Sequence, residues 1–266
     1  MRQRTLLLVL SCFLLALPIS AAADDSLSIG QRFHHETSFD DNGYVGENVR
    51  FGDLIAPYKT YEGVPRTKLP TPAELSMAVD EAINRRASVR SFADRAISLE
   101  QLSRLLLSAG GITHKRGDWE MRAAPSGGAL YPMEIYVVAA NVTGLPNGLY
   151  HFQVSDSSLE QVKLGNFGER VRTAANDQAS VGSSPVTLMM TARFDRSTHK
   201  YGDRGYRYTY IETGAVCQNV YLAATSMGMG TVAVGAFNDE SANDFLDVDG
   251  LNEATLLVMP VGFPAE

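Results

Sequence analysis

Cysteine is scarce in this chain of 266 residues, which contains only Cys12 and Cys217. Cys12 lies in an apolar N-terminal run that we expect to be cleaved off, so Cys217 alone would remain. One cysteine cannot form an internal disulfide, and the mature fold must therefore depend on its hydrophobic core. Cys217 lies in an apolar helical run and is predicted to be a buried structural thiol.

Positive charge is also in short supply, with 23 Lys and Arg against 30 Asp and Glu and a net charge of -7. Residues 1–23 contain two arginines and no acid, so their removal leaves 21 basic residues and a net charge of -9. Such an acidic chain argues against nucleic acid and against anionic lipid surfaces as partners. Its moderate charged fraction of 20% is that of a globular protein.

The only long hydrophobic run, Leu6 to Leu17, is shorter than the roughly 20 residues that span a bilayer. Arg2 and Arg4 precede it, and the small residues 20–23 follow it. This order is typical of a secretory signal peptide cleaved near Ala23. We therefore expect an exported, periplasmic protein whose mature chain has no stable membrane span.

Residues 24–79 are predicted to form an N-terminal arm over the core, because they are rich in Gly and Tyr, interrupted by prolines and show little periodicity. His34 and His35 have no companion acid at helical spacing, and the chain has no HExxH motif. We predict surface histidines and no metal site.

Regular elements begin near the end of the arm. Thr71 and Glu74 form a capping box that predicts a helix over residues 71–86, with Leu75, Val79, Ala82 and Ile83 facing inward. A second capping box, from Ser98 to Gln101, predicts a helix that Gly110 and Gly111 end. Later patterns predict helices at 166–178, 207–229 and 239–246, and strands at 135–139, 149–154, 185–194, 231–235 and 255–261. The mixture without strict βαβ alternation favours an α+β fold.

The most informative stretch runs from Arg122 to Val138. Gly127 and Gly128 can take positive φ or lie close to a flat ligand, and Pro132 stiffens the entry into a β-branched run. A rigid glycine turn before a buried strand would suit a planar cofactor. An ordinary loop before a core strand is the alternative.

Two further groups could carry chemistry. Arg86, Ser88 and Arg90 offer two guanidinium groups and a hydroxyl, which suit a phosphate, although a solvated helix end would look the same. Lys200 beside Tyr201 could form a proton-transfer pair, unless the segment is only a polar loop that caps the next helix.

Two motif matches point elsewhere. The run from Gly228 to Ala233 fits the dinucleotide fingerprint, but it follows a helix and enters a strand, which is the reverse of the required order. Ser197 and Lys200 fit the S-x-x-K motif of serine acyl-transfer enzymes. The companion S-D-N and K-T-G motifs are absent from the chain, so this function is disfavoured.

The informative segments occur in one order: 86–92 (RASVRSF), 124–132 (APSGGALYP), 148–152 (GLYHF), 200–208 (KYGDRGYRY), 212–214 (ETG), 218–224 (QNVYLAA) and 234–237 (VGAF). In this order they resemble the nitroreductase superfamily, specifically its SagB-type or thiazoline-oxidase-type dehydrogenases. The resemblance covers about residues 80–264, and it implies a nitroreductase-like domain over 80–266.

That resemblance implies an FMN enzyme on an α+β fold with a central, mostly antiparallel sheet flanked by helices. It also implies a homodimer with the flavin at the subunit interface. The phosphate and ribityl contacts would come from Arg86, Ser88 and Arg90. The isoalloxazine ring would contact Ser126, Gly127, Gly128, Ala129 and Leu130 on one side and Gly235 and Ala236 on the other. Lys200 and Tyr201 resemble the catalytic pair of the azoline-oxidising members.

The C-terminal residues 262–266 depart from the family pattern, because they lack the basic residues that often hold the FMN phosphate. Arg204 or Arg207 is expected to substitute for them. The sequence thus favours an exported FMN oxidoreductase acting on a small molecule or a peptide. The alternative is a non-catalytic envelope binding protein that kept the fold.

Overall fold

The structure is a computed structural model that describes residues 27–40, 43–44 and 55–265. The predicted signal peptide lies outside the described residues. Contacts divide the chain into two units, Met1–Val45 and Gly46–Glu266. The first contains helix α1 (Ile29–Glu36) and the antiparallel strands β1 (Phe39–Asp40) and β2 (Gly43–Tyr44). Ser28 caps α1, because its hydroxyl accepts a hydrogen bond from the backbone of Gln31.

The second unit contains the remaining elements. In chain order they are β3 (Arg66–Lys68), α2 (Val79–Arg85), β4 (Ile97–Ser98), α3 (Leu99–Gly110), β5 (Ile112–Arg116), β6 (Trp119–Arg122), a 3-10 turn (Gly127–Ala129), β7 (Met133–Ala139), β8 (Val142–Thr143), β9 (Gly148–Gln153), β10 (Ser158–Leu164), α4 (Gly168–Ala174), α5 (Ala179–Ser183), β11 (Val186–Arg193), α6 (Phe194–Tyr201), α7 (Arg204–Ser226), β12 (Gly230–Thr231), α8 (Asp239–Leu246) and β13 (Glu253–Gly262).

Seven of these strands form the central sheet in the order β12-β13-β11-β7-β9-β10-β3. Every neighbouring pair in it is antiparallel. Central strand β7 is buried along its whole length, as the apolar run after Pro132 predicts. The predicted α+β fold with a mostly antiparallel sheet is thus confirmed.

Helices cover both faces of the sheet. Alternate side chains of a strand point to opposite sides, so each face carries apolar side chains against which helices can pack. Ile135 and Val137 of β7 join a core that includes buried residues of α3 and α7. Tyr136 and Val138 join a second core that includes buried residues of α4, α5 and α8. The sheet is therefore the middle layer of three.

The predicted helix over 71–86 is wrong in its first half. Residues 71–78 are irregular, and α2 begins only at Val79. Arg104 of α3 donates to the carbonyl groups of Pro72 and Ala73, which a helix here would need. Ser103 of α3 also holds the preceding chain by donating to the Pro70 carbonyl. The local capping signal therefore loses to tertiary hydrogen bonds.

The inward face predicted for this helix is also wrong except at one position. Ala82 is buried, whereas Val79 is 70% exposed and Ile83 is 53% exposed. The next helix behaves as predicted: α3 has the capping box of Ser98 and Gln101, and its backbone ends at Gly111.

Residues 55–79, which the sequence assigns to the arm, belong to the same compact unit as the sheet. Within them β3 pairs with β10 and forms one edge of the sheet. The predicted domain boundary at residue 80 stays a prediction. In the part of the chain that the structure describes, no helix is both long enough and apolar enough to cross a membrane.

Candidate functional site

The glycine turn between β6 and β7 adopts a strained backbone. Gly128 has φ 66°, and the non-glycine residues Ala129 and Tyr131 have φ 55° and 47°. Left-handed backbone is costly for residues that carry a Cβ, and it persists where surrounding contacts fix it. Ser126 Oγ accepts a hydrogen bond from the Tyr131 backbone N–H at 2.8 Å. The turn predicted to lie under a planar ligand is therefore held in one conformation.

Lys200 and Tyr201 lie directly against this turn. They end α6, and Gly202 follows with φ 54°. A Cβ added to Gly128 would lie 2.6 Å from Tyr201 Oη and 2.9 Å from Lys200 Nζ. Any other residue here would force both side-chain ends to move, and the positive φ also favours glycine. Two sites predicted from separate segments of the sequence thus meet, although their roles stay predictions.

Aromatic rings of the next helix extend this cluster. The rings of Tyr201 and Tyr208 are 4.9 Å apart in an edge-to-face arrangement. Arg204 Nε donates to Tyr208 Oη at 2.8 Å. Gly127 lies beside Tyr208, because a Cβ at Gly127 would lie 3.5 Å from that of Tyr208. The sequence does not single out Tyr208, although it lies in the quoted segment 200–208.

Segment 86–90 lies at the other end of α7, where it meets β12. The Val89 N–H donates to the Thr231 carbonyl at 2.9 Å. Ser88 Oγ and Tyr221 Oη are 3.1 Å apart, and the Ala233 N–H donates to Tyr221 Oη at 2.9 Å. Tyr221, which the sequence does not assign to the site, therefore links Ser88 to the chain that leads to Gly235.

The environment of Arg86 and Gly235 suits a ligand. The Arg86 guanidinium lies 5.2 Å from the centre of the Tyr221 ring, and Arg90 is exposed. A Cβ at Gly235 would meet no atom within 4 Å, so its outer side is open. The Ala236 carbonyl accepts hydrogen bonds from Asn176 and Gln178, which fixes the peptide after it.

The predicted cofactor and catalytic residues therefore fall into two groups. We call them the Arg86 group (Arg86, Ser88, Arg90, Gly235 and Ala236) and the turn group (Ser126 to Leu130, Lys200, Tyr201, Arg204 and Arg207). Arg204 precedes Tyr221 by 17 residues of one helix. At 1.5 Å per residue the separation is roughly 25 Å, and that of Arg207 is roughly 21 Å. Within one chain, a backbone separation of this size disfavours a phosphate shared between Arg86 and either arginine. The expected substitution for the C-terminal basic residues stays a prediction.

Glu212 is a buried acid beneath the glycine turn, and its side chain is hydrogen-bonded to Ser126. Burial raises the pKa of the Glu212 carboxyl to about 7, although Ser126, Arg122 and Arg196 act in the opposite direction. Glu212 can therefore gain or lose a proton near neutral pH at a point that touches the turn. The sequence signal was a charged residue on the buried side of α7, in the quoted segment 212–214.

A second set of buried charges lies near the end of the turn, and we call it the buried network: Glu134, His151, Glu160 and Arg196. His151 Nε2 is 2.9 Å from Glu134 Oε2, and His151 Nδ1 is 2.8 Å from Glu160 Oε2. Arg196 Nη2 is 2.6 Å from Glu134 Oε1. Burial of the His151 ring lowers its pKa, but the hydrogen bonds to the two carboxylates outweigh burial and raise it.

The buried network positions the turn and α6 together. Arg196 Nη1 donates to the Tyr131 carbonyl at 3.0 Å, and Arg196 precedes Lys200 by one turn of α6. Sequence reasoning missed this network, because its members lie in four different segments. Ser197, the alternative nucleophile, is only 3% exposed, which disfavours acyl transfer.

Comparison with known proteins identifies the family. A sequence model described as Nitroreductase family matches residues 83–263. The chain is 38% identical over 195 residues to a protein of Methanocaldococcus jannaschii named as a nitroreductase. The aligned region covers 73% of this chain and 94% of that protein. The chain belongs to the nitroreductase family. Members of this family are generally flavin oxidoreductases, and the predicted superfamily is confirmed.

Other members show where the likeness extends. Microcin B17-processing protein McbC of Escherichia coli is 28% identical over 178 residues, which is 65% of each chain. A nitroreductase structure from Anabaena variabilis has TM-score 0.70 and 20% identity, and covers 89% of this chain and 48% of that one. A nitroreductase structure from Desulfovibrio desulfuricans in complex with FMN has TM-score 0.51 and 21% identity, and covers 72% of this chain and 88% of that one.

Proposed function

We propose that this nitroreductase-family chain is an exported FMN-dependent oxidoreductase of the SagB type. It would pass hydride between flavin and an organic substrate, a small molecule or a peptide. The observation that carries the proposal is the contact of Lys200 and Tyr201 with Gly128, since it brings proton-carrying groups to the turn predicted to lie under the flavin. The similarity to McbC, a processing protein, supports the SagB-type assignment.

The residues present fit FMN in their chemistry. Arg86 and Arg90 supply the paired charged donors that phosphate favours, and Ser88 adds a hydroxyl. Gly235 leaves open space where a flat ring could approach the backbone. When bound, FMN would supply the hydride chemistry. Lys200 and Tyr201 would hold and transfer a proton at Nζ and Oη, while Glu212 and Ser126 fix the turn.

A homodimer would bring the two groups of site residues together. Within one chain, roughly 21–25 Å of α7 separate Arg207 and Arg204 from Tyr221, which contacts the Arg86 group. Along the same helix, Tyr210 and Ile211 are 49% and 71% exposed. We infer that a second copy covers this face of α7. Each flavin would then contact the Arg86 group of one subunit and the turn group of the other.

The first test of the function is the visible spectrum of the purified mature protein, with mass analysis of any cofactor released on denaturation. Bound FMN supports the proposal. A colourless protein that also fails to take up added FMN contradicts it and favours the non-catalytic binding protein. Lys200→Ala should keep FMN but lose turnover of NADPH with menadione, a quinone probe. Unchanged turnover would remove Lys200 from the mechanism.

The shared site can be tested by mixing two inactive variants. Arg86→Glu disrupts the Arg86 group, and Lys200→Ala disrupts the turn group. In a shared site, each mixed dimer carries one doubly damaged and one intact site. Random mixing should therefore restore about a quarter of wild-type turnover, since about half of the dimers are mixed. If each chain holds a whole site, mixing restores nothing.

A further inference from the structure

A cavity of about 240 Å³ lies beside the glycine turn. Three parts of the chain form it: residues 55–58 of the predicted arm, the end of the β5–β6 hairpin and residues 129–131 of the turn. We call it the arm cavity. Ala129 and Leu130 line it and directly follow Gly128, which contacts Lys200 and Tyr201. The arm cavity is therefore adjacent to the proposed reaction centre.

The walls of the arm cavity are mainly aromatic and apolar. Tyr58, Trp119 and Tyr131 contribute rings, and Ile55 and Leu130 contribute aliphatic groups. Trp119 is 54% exposed, which is unusual for so large an apolar side chain and leaves its ring available to a ligand. Aromatic walls favour a ligand ring in stacked or edge-to-face contact, which adds stability beyond simple burial.

The side chains that line the arm cavity carry two negative charges and one positive charge, and Lys115 pairs with Glu120 at 3.0 Å. Asp118 and Glu120 line it, and hydrogen bonds from Tyr58 and Lys115 lower the pKa of the Glu120 carboxyl, so it stays ionised. Arg122 is the positively charged residue in the lining, but its Nη2 donates to the Pro57 carbonyl at 2.9 Å. Its guanidinium also lies 4.6 Å from the centre of the Tyr131 ring. A neutral or cationic ligand fits this balance.

The arm wall is held in place before any ligand arrives. Besides the Arg122 contact to Pro57, Arg196 Nε donates to the Ala56 carbonyl at 3.0 Å. Gln153 Nε2 donates to the Lys59 carbonyl at 2.8 Å. Lys59 in turn forms an ion pair of 2.7 Å with Glu253. A preformed wall lowers the entropy cost of binding, which is what a ligand site needs.

The arm cavity is distinct from the proposed flavin phosphate site. None of Arg86, Ser88 and Arg90 lines it. Its volume is below the roughly 300–1,000 Å³ of pockets that hold drug-sized molecules, so it is too small for a whole flavin nucleotide. It would hold one ring with its substituents.

We propose that the arm cavity binds a planar aromatic ring, neutral or positively charged, that belongs to the substrate of this enzyme. This inference rests on the proposed function, since it takes the neighbouring turn as the flavin platform. It assigns the arm a role in substrate recognition, with Tyr58, Trp119 and Tyr131 as the residues that contact the ring.

Trp119 provides a direct test, because it is the only tryptophan in the chain. Its fluorescence, excited at the red edge of its absorption, is titrated with benzyl alcohol in purified protein containing whatever flavin it retains. We expect a saturable change with benzyl alcohol. Cyclohexylmethanol, which matches it in size without a planar ring, and benzoate, which carries a negative charge, should each bind at least tenfold more weakly.

A matched pair of variants locates the binding. Ile55→Arg places a long charged side chain in the cavity wall and should weaken benzyl alcohol binding at least tenfold. Leu251→Arg makes the same change at a position that is 76% exposed and outside the cavity lining, and should leave binding unchanged. Equal effects of the two variants, or equal binding of the three probes, would overturn the inference.

The outcomes also separate this inference from the proposed function. Saturable binding at Trp119 in a protein that takes up no FMN would overturn the proposed function and the substrate role, leaving an aromatic-binding cavity. FMN uptake and turnover with menadione, without any selective response of Trp119, would overturn the arm cavity as a substrate site alone.

Discussion

The buried network and the Lys200–Tyr201 cluster both contact the chain of the glycine turn, yet they use polar groups differently. In the buried network Glu134 contacts both His151 and Arg196, and all three side chains are at most 4% exposed. Lys200 and Tyr201 are half-buried and lie against a glycine. Buried charges in ion pairs hold a backbone in place, whereas half-buried groups keep access to a ligand.

Helix α6 has two roles. Arg196 near the start of α6 fixes the Tyr131 carbonyl, and Lys200 one turn later contacts Gly128. Because the two contacts are on the same helix, the buried network can set the distance between the Lys200 ammonium and the turn. Damage to the network should therefore reduce stability first, and damage to the turn should reduce activity first.

The largest expected effect is that of Glu134→Ala. It leaves Arg196 with an uncompensated buried charge and His151 with only one of its two carboxylates, and breaking such a buried pair typically costs about 3–5 kcal/mol. Urea unfolding should show this loss in the free energy of unfolding. The control is Glu81→Ala, which removes an exposed i,i+4 pair with Arg85 and should cost less than about 1 kcal/mol. Similar losses for both variants would show that the network is no more stabilising than a surface pair.

Glu212→Gln tests the acid that touches the turn from below. The pKa of Glu212 is about 7 in the fold and near 4.5 in the unfolded chain, so the fold prefers the protonated carboxyl. The stability that the protonated Glu212 carboxyl contributes is present below about pH 4.5 and is lost as the pH rises through 7. Above pH 7 the variant should be more stable than wild type, by up to about 3 kcal/mol.

Thermal unfolding of Glu212→Gln and wild type at acidic and alkaline pH checks this sign. Glu240→Gln, on the exposed side of α8, controls for the loss of one negative charge. A variant that is equally destabilised at every pH would show that Glu212 acts as an ionised partner of Arg122, and not as a buried acid.

Gly128→Ala tests the Lys200–Tyr201 cluster. The added Cβ would displace the Lys200 ammonium and the Tyr201 hydroxyl, and turnover with menadione should fall at least tenfold, about 1.4 kcal/mol in barrier height. Gly144→Ala is the matched control, since Gly144 has φ 82° with no atom near the added Cβ. Both variants should lose about 1–2 kcal/mol of stability from the left-handed backbone, but only Gly128→Ala should lose turnover.

Elements with local signals could be predicted from the sequence. The capping box at Ser98 and Gln101 placed the start of α3, and the pattern over Asp239 to Leu246 matched α8. The buried strand after Pro132 was also predicted, because a continuous apolar run needs no partner to be recognised. Such features depend on neighbours within a few residues.

Features that depend on distant partners could not be predicted in the same way. His151 has its partners 17 residues before it and 9 residues after it, and only the pairing of β7, β9 and β10 brings them together. Helix α6 was missed because its polar sequence looked like a loop. Lys200 and Tyr201 are candidates from their residue types and from the family resemblance, but only the fold shows that they lie against Gly128.

The smallest expected effect, the pH dependence of the buried network, separates its contribution from that of Glu212. The pKa of His151 is raised in the fold, so the stability it contributes is present below its ordinary value of 6.5 and is lost as the pH rises through the raised value. Above about pH 7 Glu212 is mostly ionised in both states, and the remaining decline reports His151, at most about 1.4 kcal/mol per pH unit. Urea unfolding across this range should show that decline in wild type and in His114→Gln, an exposed control on β5, but not in His151→Gln. A decline that persists in His151→Gln would mean that the imidazole is neutral between its two carboxylates, and the network would then depend on Arg196 and Arg66 alone for its positive charge.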